Sequence, residues 1–246
     1  ATVPRPDQCV IMYCGIDPML FTPRRRQRLA EEPFRILSSG RLVEKKGFSV
    51  LIDACRILRE RGEHIECVIG GSGPLESDLR RRVHNAGLES VVTITGEAIA
   101  QERIPDFMER GDLYCLPCVW ASDDDVDGLP QMLMEAMACG LPAVSTKLVG
   151  IPDLVIEGKT GRLVEPNDPQ ALADVLAELA NDSAQCERIA SDGRRWIEET
   201  FDIRTCLEPI IRRFRAVVGL SLKEADRHTM MSSTANEPVE AGGIAR

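Results

Sequence analysis

Short, uninterrupted apolar runs alternate with longer segments of helical period along most of this chain. The runs FRILSSG (34–40), IECVIGG (65–71), VVTITG (91–96), DLYCLPC (112–118), PAVST (142–146) and GRLVEP (161–166) predict six strands. Segments 47–62 and 74–87 have helical spacing and end on Gly62 and Gly87, and a short helix interrupted by Pro105 is predicted over 101–111. After the sixth strand come three helical stretches, DPQALADVLAELAND, AQCERIASDGRRWIEETF and a last one over about 203–218. Strands that are apolar on both faces and alternate with helices predict an α/β fold: a Rossmann-like parallel sheet with helices on both faces. Ligands of such sheets sit beyond the carboxyl ends of the strands, so the loops to inspect are 39–47, 70–74, 96–100, 118–130 and 146–153.

One predicted helix breaks the pattern. In VDGLPQMLMEAMACGLPAVST (126–146) the apolar positions run nearly all round, so the helix is expected to be buried, with Gly128 and Pro130 at its start and Gly140 and Pro142 at its stop. Yet Glu135 lies in its second turn, and Asp127 lies eight residues earlier. A buried carboxylate is costly unless it is paired or hydrogen-bonded. Its two oxygens accept hydrogen bonds side by side, which suits a vicinal diol such as a ribose.

Composition narrows the partners. With 246 residues the chain can bury a substantial core, and a net charge of −9 argues against nucleic acid. No apolar run is long enough to span a bilayer, and the opening ATVPRPDQCVIMYCG has no signal-peptide pattern, so a cytoplasmic location is expected. The nine cysteines are odd in number and fall in predicted core segments, as Cys55, Cys67 and Cys139 do; they are expected to be free thiols. Cys115 and Cys118 form a C-x-x-C, read as small apolar residues at a strand end in preference to a redox or half-zinc site. The three histidines are isolated, and no metal site is expected. The acidic run DDDVD (123–127) is a weak magnesium candidate and otherwise a solvated loop. Residues 220–246 are small, polar and unpatterned, which predicts a disordered tail.

Three loops carry candidate chemistry. SGRLVEKKG offers Arg41 and Lys46 at the mouth of the sheet, with Gly40 and Gly47 allowing close backbone approach; the two cations suit a diphosphate, against the alternative of an ordinary basic turn. GGSGP places Gly71 and Gly73 around Ser72, with Pro74 opening a helix. CVWASDDDVDGLP crowds acidic residues before the Glu135 helix, whose start at Gly128, Leu129 and Pro130 faces the same expected crevice.

Taken together, GRLVEKKG, GGSGP, DGLPQMLMEAMACGLPAVST and VGIPDLVIEGKTGRLVEP, in this order, resemble the family 4 retaining glycosyltransferases. CGIDPMLFTP (14–23) resembles the hinge by which the chain of those enzymes enters their second domain. The resemblance covers about residues 10 to 218. It implies one half of a two-domain GT-B fold, namely the C-terminal domain that binds the nucleotide-sugar donor. Residues 1–23 would form the hinge and 24–219 the donor domain, with the N-terminal acceptor domain absent.

By that resemblance Arg41 and Lys46 bind the donor diphosphate, and Glu135, the second Glu of a Glu-x7-Glu motif, holds the ribose. Asp127 stands where the first Glu usually stands, near the donor sugar or its phosphate. Cys14 replaces the hinge Asn, and Val149 and Asp153 replace a frequent Gly and Glu. The implied function is sugar transfer from a nucleotide diphosphate sugar, without cofactor or metal. A glycan or lipid-linked acceptor, exopolysaccharide or glycan biosynthesis and peripheral contact with the inner membrane surface are compatible with it. Rival readings are a nonenzymatic nucleotide-sugar-binding module and a related epimerase or phosphorylase. The last helix, with Ile210, Ile211, Phe214, Val217 and Val218 at helical spacing, would cross onto the missing domain.

Overall fold

A computed structural model describes residues 12–23, 26, 28, 29 and 31–218. Six strands form one parallel sheet: β1 (Phe34–Ser39), β2 (Ile65–Gly70), β3 (Val92–Ile94), β4 (Leu113–Cys115), β5 (Ala143–Thr146) and β6 (Arg162–Val164). Their order is β3-β2-β1-β4-β5-β6, and the central pair runs in register from Phe34 opposite Ile65 to Ser39 opposite Gly70. The winding reverses between β1 and β4, the place where a doubly wound sheet opens a ligand crevice.

Eight helices accompany the sheet among the described residues: α1 (Phe48–Glu60), α2 (Glu76–Asn85), α3 (Ile104–Met108), α4 (Gln131–Ala138), α5 (Ile151–Leu154), α6 (Pro169–Asn181), α7 (Ser183–Thr200) and α8 (Ile203–Val218). Right-handed crossovers on either side of the reversal send α1 and α2 to one face and α4 to the other. Accordingly α1 packs on α2 and α6, and α4 packs on α7. The core is formed by apolar residues such as Ile36, Leu37, Leu51, Ile52 and Ile69, all fully buried.

The predicted elements appear with three differences. Pro105 does not interrupt a helix; it lies in the first turn of α3, where a missing N–H costs nothing, after a 3-10 turn at Gln101–Arg103. The short α5 was not anticipated, because four residues carry too little periodicity to detect. β4 ends at Cys115 and does not run to Cys118. Pro117 cannot donate to a ladder. The carbonyls of the departing chain are instead capped by hydroxyls of neighbouring strands: Ser38 Oγ donates to Cys115 O (2.5 Å), Ser145 Oγ to Leu116 O (2.7 Å) and Thr146 Oγ1 to Cys118 O (2.6 Å). Cys115 and Cys118 are both buried free thiols, as are Cys55, Cys67 and Cys139. Burial pushes the Cys118 thiol up to about 12, with the Asp127 charge adding to the shift.

Two units are distinguished, one spanning Cys14–Thr205 and the other including, among the described residues, 12, 13 and 206–218. Within the first, the leading segment is tied down at several points. Ile16 N donates to Phe201 O (2.9 Å) and Ile203 N to Ile16 O (2.8 Å). Arg194 of α7 donates to Phe21 O (2.5 Å), Pro18 O (3.2 Å) and Ala138 O, which joins this segment to the end of α4. From Cys206 on, α8 belongs to the second unit and carries Pro209 in its interior and an Arg212–Glu208 ion pair one turn apart. The tail expected over 220–246 lies outside the described residues. Among the described residues no helix is long and apolar enough to cross a membrane.

Candidate donor-binding site

The first two loops are stitched together by backbone. Gly40 N donates to Gly70 O (3.0 Å), Leu42 N to Ser72 O (2.9 Å) and Leu75 N to Leu42 O (3.1 Å). The glycines make this approach possible. A Cβ on Gly71 would stand 1.9 Å from Gly40 O, and one on Gly73 would stand 2.6 Å from Leu42 O. So the glycines of GGSGP serve loop-to-loop packing. The two loops line a cavity of about 470 Å³ together with Ala98, Ile99 and Met132. Gly40, Arg41, Gly71 and Gly73 are in its wall, and Arg41 is exposed there. Among the described residues no carboxylate forms an ion pair with Arg41.

Lys46 and Asp127 meet directly. A 3-10 turn at Glu44–Lys46 clasps the loop that leaves β4. Lys46 Nζ lies 2.5 Å from Asp127 Oδ2, and Lys45 Nζ lies 3.3 Å from Asp127 Oδ1 and 2.9 Å from Asp125 Oδ2. Glu44 Oε2 accepts from both the backbone N–H (3.0 Å) and the hydroxyl (2.7 Å) of Ser122, and Val119 N donates to Lys45 O (3.0 Å). The acidic run is therefore more than a solvated loop, because two of its carboxylates are bound to lysines. The hydrogen bond with Lys45 lowers the Asp125 carboxyl below its ordinary value and raises the Lys45 ammonium in return. Among the described residues no group of three His, Cys, Asp or Glu side chains is placed to hold a metal.

Glu135 is the most unusual group. It sits on α4, 1% exposed, as its apolar helix predicted. Oε1 accepts from Gln101 Nε2 at 2.9 Å, whereas Oε2 is buried with no partner. Burial raises the carboxyl above its ordinary value, and hydrogen bonds from Gln101 and Gln131 offset part of that. Sequence reasoning missed Gln101. It comes from the turn after β3, thirty-four residues away, and no local motif signals it.

The expected residues thus fall into three neighbouring groups at the carboxyl edge of the sheet: the cavity wall, the lysine clasp and the buried carboxylate. Gly128, Leu129 and Pro130 lie between the clasp and α4, with Pro130 capping the helix and none of the three lining the cavity. A larger cavity of about 570 Å³ opens elsewhere, at the amino ends of β1, β4 and β5. There Arg26 is held by Asp112 (2.8 Å) and Glu32 (2.9 Å), and Arg28 covers the Phe34 ring. That is the edge opposite the crevice of a wound sheet.

Val149 is exposed, with φ +46°. A β-branched residue rarely adopts this left-handed backbone. Its neighbour Gly150 donates to Gly128 O at 3.1 Å, so the strained turn braces the loop before α4. Val149→Gly is expected to raise folding stability by about 1 kcal/mol, the cost of the left-handed conformation. Urea unfolding measures this, and a variant less stable than the parent would show that the side chain contributes more than its strain costs.

Comparisons with known proteins extend over most of the chain. Residues 22–196 match the family described as glycosyl transferases group 1. The amylovoran biosynthesis glycosyltransferase AmsK of Erwinia amylovora is 40% identical over 188 residues, covering 76% of this chain and 46% of that protein. A crystal structure of Anabaena Alr3699/HepE in complex with UDP-glucose is 26% identical, with a TM-score of 0.73 over 86% of this chain and 58% of that one. The C-terminal domain of a group 1 glycosyl transferase, LpcC of Francisella tularensis, shares the fold at a TM-score of 0.66 and 24% identity; 77% of this chain covers 100% of it. The chain spans about half the length of the curated relatives it matches.

Proposed function

The chain belongs to the group 1 glycosyl transferases, and from that premise we propose that it is the nucleotide-sugar-binding half of a retaining glycosyltransferase. One observation carries the reading: a carboxylate, Glu135, kept buried at the mouth of a wound sheet with one oxygen unsatisfied. An orphaned buried acceptor is costly, and a hydroxyl of a bound ligand would satisfy it. A ribose hydroxyl beside the cation-bearing β1 loop fits. The diphosphate would then reach Arg41, Lys45 and Lys46, and the sugar would lie toward Asp127 and Gly128. The UDP-glucose bound to the HepE structure supports a uridine nucleotide as the first donor to test.

In the reaction the bond between the anomeric carbon and the diphosphate oxygen breaks, and its electron pair leaves with the nucleoside diphosphate. An acceptor hydroxyl attacks the same face of the anomeric carbon, and its proton passes to the oxygen of the departing diphosphate. Negative charge grows on the departing phosphate, so the cations of the β1 loop stabilise the transition state more than the ground state. The relative from amylovoran biosynthesis supports a glycan as acceptor. An acceptor-binding half is required for turnover.

Glu135→Gln tests the reading. Nucleoside diphosphate affinity, measured by calorimetry with UDP, GDP and ADP, should fall roughly tenfold with the melting temperature kept. Unchanged affinity for every nucleotide that the parent binds would remove Glu135 from the site.

A further inference from the structure

We propose that Gln101 is the positioning residue of the donor site: its amide holds Oε1 of Glu135 so that Oε2 alone is left to accept a donor hydroxyl. The inference rests on the reading of Glu135 given above and extends it to a second element. Gln101 lies in the 3-10 turn after β3, and Glu135 in the middle of α4. The 2.9 Å hydrogen bond between them spans two loops of the crevice and uses one carboxylate oxygen only. Oε2 remains buried and unpartnered. A carboxylate free to rotate would present either oxygen, or swing away, and would lose the geometry that one fixed acceptor gives. The residues just before Gln101 make the same turn part of the nucleotide pocket, since Ala98 and Ile99 line the cavity that Gly40 and Gly71 also face. Gln101 thereby links the wall of that cavity to the carboxylate.

The bond also acts on charge. Burial disfavours the ionised form of Glu135, and the Gln101 hydrogen bond, with a smaller contribution from the Gln131 amide, favours it. The other titratable neighbours do not oppose this. On α4 itself, burial pushes the Cys139 thiol up to about 12, so it stays neutral. On α7, Arg194 is committed to Ala138 O, Phe21 O, Pro18 O and the Glu198 carboxylate. From β4, Tyr114 and Cys115 are raised by burial and stay neutral as well. Loss of Gln101 should therefore raise the Glu135 carboxyl further. A site that needs the carboxylate would then fail on the acid side at a higher pH than the parent does, because its acceptor is lost as pH falls through the raised value.

The experiment uses the full chain and three variants, Gln101→Leu, Glu135→Gln and the double variant, with UDP, GDP and ADP as probes between about pH 5 and pH 8. Gln101→Leu should weaken binding roughly tenfold and move the acid limb of the binding profile upward. In the Glu135→Gln background the same change should cost little, because Gln101 acts through Glu135. Affinity equal to or tighter than the parent, or an equal loss in both backgrounds, overturns the inference. Carbon-13 NMR of the Glu135 carboxyl in the ligand-free chain gives a readout independent of binding. Its titration should shift upward in Gln101→Leu, and an unmoved titration overturns the positioning role. If the parent binds none of the nucleotides, the donor-site reading fails, and the carboxyl titration still decides whether Gln101 governs Glu135.

Discussion

Gly47→Ala is expected to lose about 3–5 kcal/mol of folding stability, through overpacking against backbone added to a left-handed strain. Gly47 has φ +67°, and a Cβ there would stand 1.8 Å from Pro117 O and 2.8 Å from the Pro117 carbonyl carbon. Neither atom is the end of a flexible side chain, so the strain must move a loop. That loop is the one whose carbonyls are pinned by Ser38, Ser145 and Thr146 hydroxyls on either side of Pro117. It has little freedom to retreat. Gly62→Ala provides the control, since Gly62 has φ +79° with nothing within 4 Å of its Cβ position. It should lose only the conformational part, about 1–2 kcal/mol. Urea unfolding of the two variants separates steric from conformational cost. Equal losses would mean that the β4 loop yields freely, and the clasp described above would then not be rigid.

That glycine shows where sequence reading reaches its limit. Gly47 was legible as a residue allowing close approach, but what approaches it is Pro117, in the loop after β4 and seventy residues on. The strands were legible because sheet positions buried on both faces leave unbroken apolar runs, as in FRILSS and IECVIG. The burial of Glu135 was legible for the same reason: every neighbour on its helix except Gln131 is apolar. The role of Lys46 was not. It looked like a free cation beside Arg41, whereas Asp127 neutralises much of its charge from a loop about eighty residues later, and Lys45, bound by Asp125 and Asp127, was not singled out. Gln101 was silent because a single exposed glutamine in a polar turn has no periodicity or spacing to betray a partner. Local pattern encodes burial and turns, while pairing between loops of a parallel sheet is decided by the strand order.

Lys46→Ala should weaken nucleoside diphosphate binding by roughly 1.5–3 kcal/mol, the range for hydrogen bonds to charged groups, and leave nucleoside binding nearly unchanged. The Lys46 side chain is only 16% exposed, and its ammonium already touches Asp127 at 2.5 Å. A diphosphate arriving at this loop must share or displace that carboxylate. Arg41→Ala, at an exposed position, should show the same selectivity with a smaller loss. If nucleoside and nucleoside diphosphate binding fall equally, the lysine supports the clasp and does not bind phosphate. Asp127 completes the test, because its two candidate jobs have opposite signs. As the resting partner of Lys46 it competes with phosphate, so Asp127→Asn should tighten binding of the nucleoside diphosphate. As a contact of the donor sugar it would be missed by the nucleotide-sugar, whose binding should gain less or weaken. Calorimetry with UDP and UDP-glucose on the same variant reads both. A parallel gain for the two ligands would assign Asp127 to Lys46 alone, and a parallel loss would mean that the Lys46–Asp127 pair holds the loop in its binding shape.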